Sequence, residues 1–168
     1  MTGPYIYCPY CATPLESIHR FGQIRPVCPK CGFVYFQDPK VAVIGLVIHD
    51  GRVLLIKRAV DPGRGMWSLP GGYMDAGEMP EAALKRELQE EVGLEVQVVQ
   101  LLDIYPMTEA SGRQRGIVLA YRVELLAHHS SQAQAGDDAE KAEWFGPGEL
   151  PQELAFESTR SLLEQWLG

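Results

Sequence analysis

From Val41 onward the chain alternates between short aliphatic or β-branched runs and stretches broken by glycine, proline and acidic residues. Val41–His49 and Arg52–Arg58 are two such runs. Asp50-Gly51 between them suits a two-residue hairpin turn, whose central positions need positive φ. Asp61–Gly77 holds five glycines and two prolines, so it predicts loops and tight turns. Residues 80–92 change period: Leu84, Leu88 and Val92 recur at i, i+4, i+8, the stripe of a helix that faces a core. Pro80 suits the first turn, Glu81 the positive end of the dipole, and Gly93 the C-terminal cap. Strand patterns follow at Glu95–Ile104 and Gly116–Leu126. The polar, alanine-rich stretch His128–Glu140 reads as a mobile loop, Glu143–Phe145 as a short strand, and Glu157–Leu167 as a closing amphipathic helix. No internal repeat is apparent.

Before Val41 the pattern is different. Tyr5–Cys8, Gln23–Cys28 and Phe33–Phe36 are short, aromatic or β-branched segments separated by Pro and Gly, and they read as ribbon strands. Asp38-Pro39-Lys40 marks the junction, dividing the chain into residues 1–38 and 39–168. All four cysteines fall in the first part, as Cys8-Pro-Tyr-Cys11 and Cys28-Pro-Lys-Cys31. Two Cys-x2-Cys hooks at this separation fit a tetrahedral zinc site of four thiolates; the alternative is a pair of disulfides in an exported protein. The chain shows no basic start followed by an apolar stretch and no apolar run long enough to span a bilayer, so a cytoplasmic, reduced protein is expected. Four sulfurs would fill the coordination sphere. The zinc is therefore expected to be structural, supplying folding energy to a unit too small to fold on its core alone.

Net charge is −7, yet residues 1–40 carry Arg20, Arg25, Lys30 and Lys40 against Glu16 and Asp38, so the remainder carries −9. An acidic body argues against non-specific attraction to nucleic acid or anionic lipid. It also means that any phosphate chemistry here needs cations.

On a helical wheel Glu87, Glu90 and Glu91 share an arc of roughly 100° beside the apolar stripe. One reading is a solvated acidic face. Against it, Glu87 and Glu91 are a like-charge i,i+4 pair, and only Glu90 has a cation, Arg86, at helical spacing. Three hard oxygen donors suit Mg²⁺ or Mn²⁺, which keep waters and bridge to phosphates.

The string Gly72-Tyr-Met-Asp-Ala-Gly-Glu78, seven residues, then Arg86-Glu87-Leu88-Gln-Glu90-Glu91-Val-Gly93-Leu94 resembles a complete Nudix box, with every specified position filled. The run Gly65-Met-Trp67-Ser-Leu69-Pro70-Gly71-Gly72 is similar to the lead-in of that family. The resemblance implies an α/β/α sandwich around a mixed sheet, with the box as loop–helix–loop. It implies that Glu87, Glu90 and Glu91 bind divalent metal, helped by the backbone carbonyl of Gly71, and that Arg86 pairs with Glu78 to orient the cluster. For the general base it leaves Glu90 and an acid of the later loop, Asp137, Asp138 or Glu140. Asp138 lies six residues before Trp144, while three before it stands Lys141, where such sequences commonly have an acid.

The ribbon followed by this domain resembles dinucleotide pyrophosphatases of the same family. The resemblance implies hydrolysis of a nucleoside diphosphate linked to another moiety, such as FAD, ADP-ribose or NAD(H), with release of a nucleoside monophosphate. The Ser-Gln-Pro-Trp-Pro-Phe-Pro signature of the NADH-cleaving group is missing from the sequence. Two other readings remain: cleavage of non-standard nucleoside triphosphates, and a nucleotide-sensing regulator that binds nucleic acid through the ribbon. Trp67 and Tyr73 are candidates to stack on a base, and Arg58, Arg113 and Arg115 to meet phosphates; each has a duller role as a loop anchor or surface cation. A homodimer is compatible with the resemblance, and nothing in the residues decides it.

Overall fold

The computed structural model describes residues 5–108, 112–126, 132–136 and 138–168. It forms two compact units, Met1–Pro39 and Lys40–Gly168. The expected loop candidate Asp137, and residues 128–131 of the expected mobile loop, lie outside the described residues.

In the first unit β1 (Glu16–Arg20) and β2 (Gln23–Val27) form an antiparallel hairpin. Its turn, Phe21-Gly22, has both residues at positive φ, as a two-residue turn matching strand twist requires. The strand expectation is corrected here. Tyr5–Cys8 and Phe33–Phe36 contribute only single bridges, Tyr7 to Pro14 and Val27 to Val34, while β1 had no clear apolar pattern to announce it. A repeat is also present after all, at a spacing of twenty residues. Cys8 N–H donates to Thr13 O and Cys28 N–H to Phe33 O; Ala12 N–H returns to Cys8 O and Gly32 N–H to Cys28 O. Ala12 and Gly32 each take a positive φ. Each hook is therefore the same tight turn, made twice by different sequences.

The second unit is a mixed sheet between two helices. Its elements are β3 (Lys40–His49), β4 (Arg52–Arg58), β5 (Trp67–Ser68), β6 (Gly71–Tyr73), α1 (Pro80–Val92), β7 (Val96–Thr108), β8 (Gln114–Leu125), β9 (Ala139–Phe145) and α2 (Glu157–Leu167). The order is β5-β4-β3-β8-β7, with β3 and β8 parallel; β6 pairs with β3 and β9 with β4, both antiparallel. The β3–β4 hairpin turns at Asp50-Gly51, both at positive φ, and opens after two residue pairs. Each strand then takes a different partner, which draws the Gly-rich segment into the sheet as β5 and β6 rather than leaving it as loop.

Along β4 the side chains alternate between two cores. Leu54 and Ile56 pack with Leu84, Leu88 and Val92 of α1; Val53 and Leu55 pack with Leu162 and Leu163 of α2. A strand buried on both faces reads as a continuous apolar run, as it does in the sequence. Gly45 lets α1 lie close to β3: a Cβ there would stand 3.3 Å from Leu88 and 3.1 Å from Val123. This close seat fixes the height of α1 over the sheet and so the position of its acidic face.

Candidate active site

The ends of α1 are built as its sequence suggests. Pro80 opens it without needing a backbone donor, and Gly93 (φ 68°) closes it with its N–H on Gln89 O while Leu94 N–H reaches Leu88 O. The last carbonyls, of Glu91 and Val92, accept from Gly136 N–H at 2.8 Å and Gln134 N–H at 3.0 Å. Residues 134–136 are therefore docked on the helix, a correction to the mobile-loop expectation for this part of the segment. The residues of the loop saturate helix carbonyls that would otherwise lack partners.

Arg86 is the organising side chain. Its Nε and Nη2 make a two-pronged contact with Glu78 at 3.0 Å each, Nη1 reaches Glu87 at 2.9 Å and Glu90 at 3.1 Å, and Nη2 also donates to Tyr73 O at 3.1 Å. All five guanidinium N–H groups are thus engaged, which only the planar fork of arginine allows. The Arg86 hydrogen bonds hold the Glu78 carboxyl below its usual range. Arg86→Lys keeps the charge and loses the fork. We expect it to lower turnover by roughly 10–100-fold, the scale for losing a partner that orients ligands, with circular dichroism unchanged. Wild-type turnover in that variant would remove Arg86 from the account.

Glu91 is 7% exposed, and its Oε2 accepts from Gly71 N–H at 2.8 Å. Burial pushes its carboxyl up to about 7; the Gly71 N–H and the Arg58 charge oppose this, and the Glu87 and Asp138 charges add to it. Burial likewise raises Glu87, with Arg86 opposing. The Glu87 carboxylate lies against the backbone of Gly72, where a Cβ would stand 2.4 Å from Oε2. A side chain at Gly72 would therefore displace the Glu87 carboxylate from its contact with Arg86. Glu90 points outward, with its side chain 62% exposed.

The three box glutamates suit a hard divalent cation in a specific way. Each anchors one oxygen, Glu87 Oε1 and Glu90 Oε2 on Arg86 and Glu91 Oε2 on Gly71. Each keeps its other oxygen without a hydrogen bond among the described residues. Those oxygens are not drawn into one tight group. Among the described residues, the only set of three or more metal-ligand atoms within 4.8 Å of one another belongs to Cys8, Cys11, Cys28 and Cys31. Three like charges within one helical turn repel, and the Arg86 guanidinium lies between two of them.

The cysteine set fits zinc closely. All four are unbridged, and Sγ separations of 3.5–3.6 Å approach the roughly 3.8 Å expected around a tetrahedral ion with Zn–S near 2.3 Å.

Of the substrate candidates, Tyr73 is 54% exposed beside the Arg86 contact, with Lys40 Nζ 5.5 Å from its ring centre. Arg58 is fixed by Nε to Pro62 O at 2.7 Å and by stacking at 5.0 Å over Phe156. Trp67 is corrected. Its ring meets Phe145 edge-on at 4.9 Å and packs in the α2-side core, away from the α1 core, so it anchors the fold and is not placed to stack on a base. Asp138 is held through its backbone, its C=O accepting from Ala59 N–H at 2.9 Å. Glu140 pairs with Lys57 and Lys141 with Glu143, side by side on the β4–β9 ladder.

With this geometry in view, the NUDIX domain family matches residues 38–166. An ADP-ribose pyrophosphatase of Methanocaldococcus jannaschii is 39% identical over 122 residues, 73% of this chain and 70% of its own. An NAD-capped RNA hydrolase, NudC, of Chromobacterium violaceum is 33% identical over 145 residues, 86% of this chain but only 51% of its own. The crystal structure of a NUDIX hydrolase from Nitrosomonas europaea superposes with a TM-score of 0.85 at 28% identity, covering 97% of this chain and 90% of that one. The fold and the filled box define a phosphoanhydride hydrolase. This chain belongs to the NUDIX family and is a Nudix pyrophosphohydrolase. No helix among the described residues is long and apolar enough to cross a membrane.

Proposed function

We propose that this enzyme hydrolyses the pyrophosphate bond of a nucleoside diphosphate linked to a second moiety, of the ADP-ribose, FAD or NAD(H) type, in a divalent-metal-dependent reaction that releases a nucleoside monophosphate. The observation that carries this reading is the α1 carboxylate set, with one oxygen of each glutamate anchored and the other left for a cation. The relatives named for ADP-ribose and for NAD-capped RNA both act on molecules with a nucleoside diphosphate linkage, which supports the substrate class.

Glu87, Glu90 and Glu91 would hold Mg²⁺ or Mn²⁺, with the Gly71 carbonyl as a further donor. Such an ion neutralises diphosphate charge, polarises a phosphoryl oxygen and acidifies water. The side chains supply the rest. Arg58 meets a phosphate oxygen, Tyr73 offers a face to the base, and Arg86 with Glu78 keeps the glutamates in place. Glu90 or Asp138 takes the proton as the water oxygen bonds to phosphorus and the bridging P–O bond breaks. Zinc held by Cys8, Cys11, Cys28 and Cys31 would have no open position and would take no part in this chemistry.

A nucleotide panel with Mg²⁺ or Mn²⁺ tests the reading. AMP from ADP-ribose, FAD or NADH is the expected product. Pyrophosphate released from nucleoside triphosphates, with the dinucleotides untouched, would replace this reading with triphosphate cleanup. Salt-dependent RNA or DNA binding with no turnover would replace it with a sensor.

A further inference from the structure

We propose that Gly136 is a positioning residue of the active site: it lets residues 134–136 lie against the last turn of α1 and thereby sets the backbone at Asp138. The inference rests on the reading of Asp138 as a group of the reacting centre, and it adds the device that puts it there.

The geometry is a clamp with two jaws. On one side Gln134 N–H and Gly136 N–H bond to Val92 O and Glu91 O, the free carbonyls of α1. On the other, Ala59 N–H bonds to Asp138 O, and Ala139 pairs with Arg58 at the point where the β4–β9 register shifts. Ala139 N–H returns to Gly136 O at 3.1 Å, closing the turn between the jaws. Residues 134–136 are thus tied to the carbonyl of one box glutamate, and residues 138–139 to the strand that carries Arg58.

Only glycine permits the first jaw to close. A Cβ on residue 136 would stand 2.2 Å from Glu90 O, 3.2 Å from Glu90 C and 3.3 Å from Glu91 Cα. These are backbone atoms of a helix seated on the sheet, so they cannot yield as a flexible side-chain tip can. Any side chain at this position must push the segment off α1. That movement opens the hydrogen bonds to Glu91 O and Val92 O and carries Asp138 with it.

The test is a double-mutant cycle on the full chain, with amide hydrogen exchange as a readout independent of turnover. Gly136→Ala is expected to lower kcat by about tenfold or more with KM little changed, since the Arg58 side chain is held separately by Pro62 O and the Phe156 ring. In an Asp138→Asn background the same change should cost almost nothing further. Gln134→Pro removes the second donor of the clamp and sets a ring carbon against Val92 O, so it opens the same jaw from a different residue and should reproduce the kcat loss should the alanine variant fold poorly. Ala135→Ser, exposed and between the two donors, serves as the control and leaves kcat unchanged. In the wild type the Gln134 and Gly136 amides should exchange slowly, and in Gly136→Ala quickly. Losses from Gly136→Ala and Asp138→Asn that multiply would overturn positioning through Asp138. Fast exchange of both amides in the wild type would overturn the clamp itself, whatever the enzyme turns over. A wild type inert on every nucleotide, with both amides protected, would instead strike the proposed function and leave the clamp standing.

Discussion

Glu91→Gln is expected to cut turnover by roughly 10²–10³-fold or more, and at the same time to make the metal-free protein more stable at pH 8. The first effect follows from removing a charged oxygen of the proposed metal site, and its scale is that of losing one preorganised charge-stabilising group. The second follows from where Glu91 sits. Its carboxyl is pushed from 4.5 to about 7, chiefly by burial. A carboxyl with a raised folded pKa binds more protons folded than unfolded, so its contribution to stability is full below about 4.5 and is lost as pH rises through about 7. At about 1.4 kcal/mol per unit, the penalty at pH 8 has an upper bound near 3 kcal/mol. Glutamine keeps an acceptor for the Gly71 N–H and carries no charge, so the penalty vanishes. Thermal melts of metal-free wild type and variant between pH 5 and 8 read this directly. The wild-type Tm should fall across that range relative to the variant, and divalent metal should recover it most at the upper end, where the carboxylate is ionised. A variant less stable than wild type at pH 8 would show that Glu91 is held by contacts other than those described.

The second large effect belongs to the ribbon. Stripping zinc with a chelator, or Cys28→Ser, is expected to unfold the first unit. Among the described residues the unit's core is Cys8, Leu15 and Cys28 with Cys11 and Phe33 against them, and Val27 besides, far too small to fold unaided. Structural zinc contributes about 10–16 kcal/mol to such units, more than any side-chain packing there can replace. In NMR spectra the amides of Glu16–Arg20 and Gln23–Val27 should collapse to unstructured positions, while the thiols become reactive, four in the stripped protein and three in the variant. A hairpin that keeps its dispersion with all zinc removed would contradict the structural role.

Much of this was legible in the sequence because several local signals coincided. Leu84, Leu88 and Val92 gave the helix its face, Pro80 and Gly93 gave it ends, and Asp50-Gly51 gave the hairpin its turn. The box glutamates could be named because helical spacing puts them on one arc and the string around them resembles the Nudix box. What the spacing does not contain is the backbone that meets each carboxylate. Glu87 rests on Gly72 and Glu91 on the Gly71 N–H, partners 15 and 20 positions away, placed by the pairing of β6 with β3.

The misreadings have the same origin. Asp61–Gly77 carries every local mark of loop, yet Trp67–Ser68 and Gly71–Tyr73 pair because the β3–β4 hairpin opens and offers its edges. Trp67 looked available for stacking because its partner Phe145 is 78 residues on. The segment around Gly136 is polar and alanine-rich, which describes mobile chain equally well. Its order comes from helix carbonyls that have no mark in sequence. The repeat within the ribbon shows in the sequence only as Cys-Pro-x-Cys twice, twenty residues apart, because beyond it the likeness resides in hydrogen bonds and φ angles, with Ala12 in one copy taking the place of Gly32 in the other.

The most direct measurement is phosphorus NMR of ADP-ribose with the purified enzyme, followed before and after addition of Mg²⁺. The account predicts diphosphate resonances that persist until the cation is added and then give way to two phosphomonoesters, one of them AMP. Diphosphate signals that survive both Mg²⁺ and Mn²⁺, or that disappear equally well in excess chelator, would contradict it.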